Sequence, residues 1–209
     1  MGLHIIDERN STLKDTSYDE DNKVYMVDCE LEVCSFDDVK EWYVKNKIPL
    51  ANPNPKSNDA LLFDKGESFF IEFKNGKINN AVNFEINKKI YDSLLMLFDL
   101  GYVDENGREV DSISYTRQNM KYILVYNYEK YLEAGPTRQT KEGFERQRVE
   151  VSSSKHRDLL FSTMRKLADD ELIKFGLDQF KNYLFKDVHT YTVEEFQEKF
   201  INEQYTISI

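Results

Sequence analysis

Two acids and a lysine flank one short turn: Asp59 precedes the apolar run Ala60 to Phe63, and Glu72 and Lys74 close the run that starts at Ser68. Between the runs lies Asp64-Lys65-Gly66-Glu67, whose glycine at the turn makes a β-hairpin the natural reading. With the turn centred between Lys65 and Gly66, opposed residues have numbers that sum to 131, which sets Asp59 against Glu72. Directly opposed residues of an antiparallel pair point to one face with Cβ atoms about 4.5 to 5.5 Å apart, and Lys74, two beyond Glu72, joins that face. Carboxylates so close repel unless a proton or cation lies between them, and hard oxygen ligands with room for waters suit Mg²⁺ or Mn²⁺. A cation held there can acidify a water and offset charge on a scissile phosphodiester, while a nearby ammonium orients the nucleophile or stabilises the charged transition state. Asp59, Glu72 and Lys74 supply those parts.

The competing reading is a solvated hairpin end, because Glu-x-Lys is common there and cross-strand charge pairs are ordinary stabilising contacts. Three features favour a site. Lys74 follows Phe69-Phe70-Ile71, where charge is costly to place, the acid opposes an acid, and a long helix and a buried strand follow at once.

The elements that must hold these residues can be read on either side. Lys23 to Val33 places Val24, Met26, Cys29, Leu31 and Val33 in rough alternation, as an irregular half-buried strand would. Ser35 reads as an N-cap with Asp37 and Asp38 in the first turn of a short helix to Asn46, in which Val39, Trp42 and Tyr43 share a face. The Pro- and Asn-rich segment Pro49 to Asn58 reads as a loop. Phe84 to Leu100 carries Ile86, Ile90, Leu94 and Leu97 at helical spacing and ends at Gly101. Lys121 to Asn127 is a nearly continuous apolar run of strand length, as a strand buried on both faces would be. From Lys155 onward the pattern is helical, through Leu159, Leu160, Thr163 and Leu167, then Leu177, Phe180 and Leu184, then Val193 to Phe200.

At this point the residues resemble a family. Asn58-Asp59-Ala60-Leu61-Leu62 followed by Phe70-Ile71-Glu72-Phe73-Lys74-Asn75-Gly76 looks like the signature of the PD-(D/E)XK superfamily, which includes restriction endonucleases and Holliday-junction resolvases. The likeness covers about residues 36 to 127 in the order helix, hairpin, helix, strand. It implies that Asp59 and Glu72 bind the metal and that Lys74 is catalytic. Asn58 replaces the family's proline, which shapes backbone and performs no chemistry. The loop Pro49 to Asn58 stands where the family's first core strand lies, so that strand is either degenerate or supplied by Lys23 to Val33. The resemblance also suggests an extra acid on the first helix, for which Glu41 is the candidate, and a polar residue on the second, for which Lys88 would serve.

The 209 residues, 40% hydrophobic and 13% aromatic, can bury one core with a small appendix. A formal net charge of −10 repels a phosphate backbone as a whole, so a nucleic-acid role needs local basic surface or bound cations. Acids crowd the first 37 residues, and the one candidate basic stretch runs from Arg138 to Lys166, diluted by Glu142, Glu145, Glu150 and Asp158. Cys29 and Cys34 fit neither a disulfide framework nor a zinc site; His4 and His189, the latter read as lying in a loop before a helix, have no partner at metal-ligand spacing, and His156, flanked by Lys155 and Arg157, suits phosphate rather than metal. No apolar run reaches the roughly 18 residues that cross a bilayer, and the start lacks the pattern of a signal peptide, which leads us to expect a cytoplasmic protein.

The expectation is an α/β, restriction-endonuclease-like core over residues 1–135 with a mixed central sheet flanked by helices, and a helical C-terminal extension over 136–209 packed on it. The expected activity is Mg²⁺- or Mn²⁺-dependent hydrolysis of nucleic-acid phosphodiester bonds, with DNA as the first partner. A catalytically silent nuclease fold acting through a protein partner, as an acidic defence or immunity factor would, is the alternative, and a third is an acidic interaction protein unrelated to nucleases. A homodimer is compatible with each, and no membrane is expected as a partner.

Overall fold

The computed structural model describes residues 10–103, 109–133 and 172–203. Its centre is a six-stranded mixed sheet in the order β1 (Asn10–Thr12), β4 (Glu32–Ser35), β5 (Ala60–Asp64), β6 (Glu67–Lys74), β9 (Met120–Tyr126) and β10 (Asp187–Thr192). The first four strands pair antiparallel, whereas β9 lies parallel to both β6 and β10. Two small ribbons stand apart, β2 (Tyr18–Asp19) with β3 (Val24–Tyr25) and β7 (Tyr102–Val103) with β8 (Glu109–Val110).

The hairpin β5–β6 has the register expected from its turn, with Ala60 opposite Ile71 and Asp64 opposite Glu67. Lys65 (φ 46°) and Gly66 (φ 84°) both adopt left-handed backbone, the requirement of the two-residue turn whose twist matches that of its strands. Alternation along β6 then sends Ser68, Phe70, Glu72 and Lys74 to one face and Phe69, Ile71 and Phe73 to the other.

The first face is covered by helices α2 (Phe36–Asn46) and α3 (Asn80–Leu100), with Phe36, Val39, Ile86, Ile90, Leu94 and Leu97 packed on Leu61, Phe70, Tyr122 and Leu124. Phe36 meets Phe70 edge-on at 4.9 Å between ring centroids. Ser35 caps α2 through the amide of Asp38 (3.3 Å), and Asn79 caps α3 through those of Ala81 and Val82 (both 3.0 Å). Gly101 ends α3 at φ 77°. The second face is closed by α1 (Leu13–Thr16) and by α6 (Val193–Phe196), which runs on as a π-helical turn, Gln197–Asn202. There Phe196 and Phe200 pack against Phe73 and Phe69. Strands β6 and β9 are buried on both faces, which is why Phe69-Phe70-Ile71 and Tyr122 to Tyr126 read as apolar runs. The remaining elements, α4 (Ser112–Asn119) and α5 (Tyr128–Glu133), bracket β9.

Three expectations change. Lys23 to Val33 is not one strand: Val24–Tyr25 belongs to the small ribbon, and the sheet strand is β4, Glu32–Ser35, which runs straight into α2 and pairs with β5. It fills the place beside the hairpin that the loop Pro49 to Asn58 cannot. The described part of 136–209, residues 172–203, is not wholly helical, because it contributes β10 to the core sheet, Asp187 opposite Lys121 through Thr192 opposite Tyr126. His189 is therefore on a strand rather than in a loop. Leu177–Phe180 forms a short 3₁₀ turn, while a helix over Val193 to Phe200 is present. The basic stretch Arg138 to Lys166, the helical pattern from Lys155 to Leu167, and His4 and His156 lie outside the described residues. Among the described residues, no helix is long and apolar enough to cross a membrane.

A Cβ added at Gly66 would meet nothing within 4 Å, so Gly66→Ala tests the backbone alone. It should lower stability by about 1 kcal/mol, whereas Lys65→Asn, a residue that tolerates the left-handed region, should raise it slightly. Urea midpoints that do not move in opposite directions would contradict this turn.

Candidate active site

Asp59 lies one residue ahead of β5 and is fixed on two sides. Its carbonyl accepts from the amide of Phe36, the first residue of α2 (3.1 Å), and its Oδ2 accepts from the amide of Phe73 in β6 (2.6 Å). The loop before it is tied to α3: the amide of Lys56 donates to Asp92 (2.7 Å) and that of Asn58 to the Ser93 hydroxyl (2.8 Å). A segment rich in proline and asparagine thus delivers Asp59 to a defined position, because one helix satisfies its backbone donors.

Glu72 sits in the middle of the sheet and is 0% exposed. Such a carboxylate needs cations or donors close by. Lys74, two residues along the same face, places Nζ 2.8 Å from Glu72 Oε1. From α3, Lys89 places its ammonium 2.7 Å from Oε1 and 2.9 Å from Oε2 of Glu72, and 3.0 Å from Oδ1 of Asp59. Asp59, Glu72 and Lys74 are therefore on one face and joined, as the hairpin register requires, and Lys89 completes a quartet of two carboxylates and two ammoniums.

The charges are unequal in cost. Burial works against the Lys89 ammonium, but Glu72 and Asp59 outweigh it and raise its pKa above the ordinary lysine value. Burial, followed by the Glu72 charge, pushes the Asp59 carboxyl up to about 7 against the pull of Lys89, Lys74 and the Phe73 amide. Tyr122, fully buried on β9, has its hydroxyl pKa raised by burial and then by Glu72 and Asp59, and that hydroxyl has no hydrogen-bond partner among the described residues.

A cleft of about 500 Å³ opens on Asp59 and Lys74. Its other walls include Asp15, Asp19, Asp21 and Asp37, so the approach is acidic. The β2–β3 ribbon that forms part of it is held by Asn75, next to Lys74, whose side-chain amide donates to Asp19 (2.7 Å).

Two expected residues are elsewhere. Glu41 is exposed on α2, and the acid of that helix that borders the cleft is Asp37, which accepts from Ser57 and from Lys40 (2.7 Å). Lys88 pairs with Asp92 along the flank of α3, and the site lysine is its neighbour Lys89. One helical step turns a side chain by about 100°. Lys89 falls three residues after Ile86 and four before Ser93, within the buried stripe, and a charge inside an apolar stripe is the sequence signal that marks it. Among the described residues, no group of three or more His, Cys, Asp or Glu side chains is arranged to hold a metal ion, which leaves Asp59 and Glu72 as the carboxylate pair. The pair nevertheless fits a small cation in chemistry and placement, since oxygens of both carboxylates already meet on one ammonium. Hard carboxylate ligands that leave most positions to water are the set Mg²⁺ accepts.

Comparison with protein-family models, with curated proteins and with solved structures finds no match.

The Asp59 carboxyl gives a pH signature. Because its folded pKa of about 7 lies above the ordinary 3.8, the folded chain holds the extra proton between those values. The associated stability is complete below about pH 4 and lost as pH rises through about 7. With chelator present, Asp59→Asn should therefore gain on the parent chain by on the order of a few kcal/mol between pH 4 and 7. Urea unfolding at several pH values measures this, and a pH-independent difference would mean that Asp59 stays ionised throughout.

Proposed function

We propose that the chain is a divalent-metal-dependent phosphodiesterase of the nuclease type, acting on nucleic acid with DNA as the first candidate. The observation that carries this reading is the convergence of Asp59 and Glu72 on a single cation position, with Lys74 beside Glu72 and both Asp59 and Lys74 lining a cleft. The order of elements, helix α2, hairpin β5–β6, helix α3 and parallel strand β9, supports the likeness to PD-(D/E)XK nucleases that the residues suggest.

Asp59 and Glu72 would hold Mg²⁺ or Mn²⁺, which supplies Lewis acidity toward the phosphate and lowers the pKa of a water. The chain supplies the rest. The Phe73 amide fixes one Asp59 oxygen, so the carboxylate presents a set direction. Lys74, which lines the cleft, would orient the attacking water or offset charge on the phosphate. Helix α3 holds the entry loop, and with it Asp59, against the sheet.

A second reading, a silent nuclease fold that acts through a protein partner, draws on two observations. Lys89 already compensates both carboxylates, and the acidic walls of the cleft oppose an approaching phosphate chain while suiting a basic surface.

Purified chain incubated with single- and double-stranded DNA and RNA should cleave at least one of them in Mg²⁺ or Mn²⁺ and none in chelator. Glu72→Gln and Lys74→Ala should each reduce the rate by about 100-fold or more. Cleavage that persists in both variants would place the chemistry elsewhere, and absence of cleavage on every substrate would select the second reading.

A further inference from the structure

We propose that Lys89 is a built-in counter-ion of the carboxylate pair, which a divalent cation must displace before the site can load. The proposal rests on the metal-dependent reading above and adds what controls the site's affinity for metal.

The argument starts from burial. Glu72 is 0% exposed and Asp59 has a side-chain exposure of 15%, so neither can be solvated as a free carboxylate. Lys74 alone leaves two acids with one cation. Lys89, itself 17% exposed, supplies the second cation and touches three of the four carboxylate oxygens, while the Phe73 amide takes the fourth. Each of the four oxygens of the carboxylate pair is thus already hydrogen-bonded to an N–H group of the chain.

Position makes the two cations exclusive. The ammonium lies 3.0 Å from Asp59 Oδ1 and 2.7 Å from Glu72 Oε1, in the space between the carboxylates. A Mg²⁺ ion bridging the same atoms would sit about 2.0–2.1 Å from each oxygen, inside the volume the ammonium fills. Two cations there would repel across a short, poorly solvated gap. Lys74 is not in this position, because it reaches one carboxylate, Glu72 Oε1 at 2.8 Å, while the ion pair of Asp59 is with Lys89. Lys89 reaches inward from a 21-residue helix on a side chain with several rotatable bonds, so it can withdraw without moving the sheet.

The consequence is a site that is stable without metal and takes metal weakly. Removing the Lys89 charge should reverse both properties: metal-free stability falls, since two buried carboxylates lose their shared partner, and metal affinity rises.

Mn²⁺ titration by calorimetry of the full chain tests this, comparing the parent with Lys89→Gln and with Lys89→Arg, which keeps the charge. Lys89→Gln should bind Mn²⁺ about ten-fold more tightly or better, and Lys89→Arg should not. Melting curves cover the case in which Lys89→Gln is partly unfolded: its Tm should be lowered in chelator and raised by Mn²⁺ more than that of the parent. Equal or weaker binding by Lys89→Gln, with no larger Tm rise, overturns the proposal. If the parent still cleaves nucleic acid in that case, the nuclease reading stands without it. Tighter binding by Lys89→Gln with no cleavage by the parent supports the counter-ion and removes the nuclease reading. If no variant binds Mn²⁺, both fall.

Discussion

A carboxylate buried in the middle of a sheet is the constraint around which this protein is arranged. Glu72 has a strand on each side, apolar side chains before and after it in β6, and α3 above it. Without compensation, its charge would cost more than the packing around it returns. The compensation comes from two elements, Lys74 from the same strand and Lys89 from the helix that crosses from β6 to β9. The charge therefore does structural work on the fold as well as marking a place for chemistry. It ties the rotation of α3 to the sheet, because Lys89 faces the carboxylates while its neighbour Lys88 turns to Asp92 on the flank.

The same helix holds the other half of the site. Asp92 and Ser93, one turn beyond Lys89, take the amides of Lys56 and Asn58 and so set where the chain enters β5. Asp59 is then clamped between α2 and β6. Each acid is thus positioned by hydrogen bonds from elements far apart in sequence. A displacement of α3 would move the entry loop, Asp59 and the Lys89 ammonium together, and this coupling is a physical reason for an otherwise loop-like segment to be ordered.

What could be read in the amino-acid order was what local chemistry determines. The turn at Lys65-Gly66 sets the register, and the register sets the side on which Asp59, Glu72 and Lys74 meet. The cap at Ser35, the stripe of α3 with its stop at Gly101, and the apolar run of β9 are likewise local signals. The failures have a common cause in long-range pairing. Strand β4 is four residues long and recognisable only by its partner β5, and β10, Asp-Val-His-Thr-Tyr-Thr, is a polar edge strand that becomes a strand through β9. Lys88 and Lys89 are adjacent, and counting helical steps from Ile86 and Ser93 separates them. The family resemblance, which asks only for a polar residue on the second helix, does not.

The position of β10 has a consequence for how the chain can be divided. Its residues pair with β9 across 66 positions of sequence, and they lie on the side of β9 that no earlier strand covers. A chain ended at residue 135 would keep the hairpin, α3 and the charged quartet. It would leave β9, largely apolar on both faces, as a bare edge with the backbone donors and acceptors that face β10 unpaired. Such an edge is a template for pairing with other chains, so the fragment that retains the whole candidate site is prone to self-association. Solubility thus depends on residues remote from the site, and β10 serves as the protective margin of the sheet.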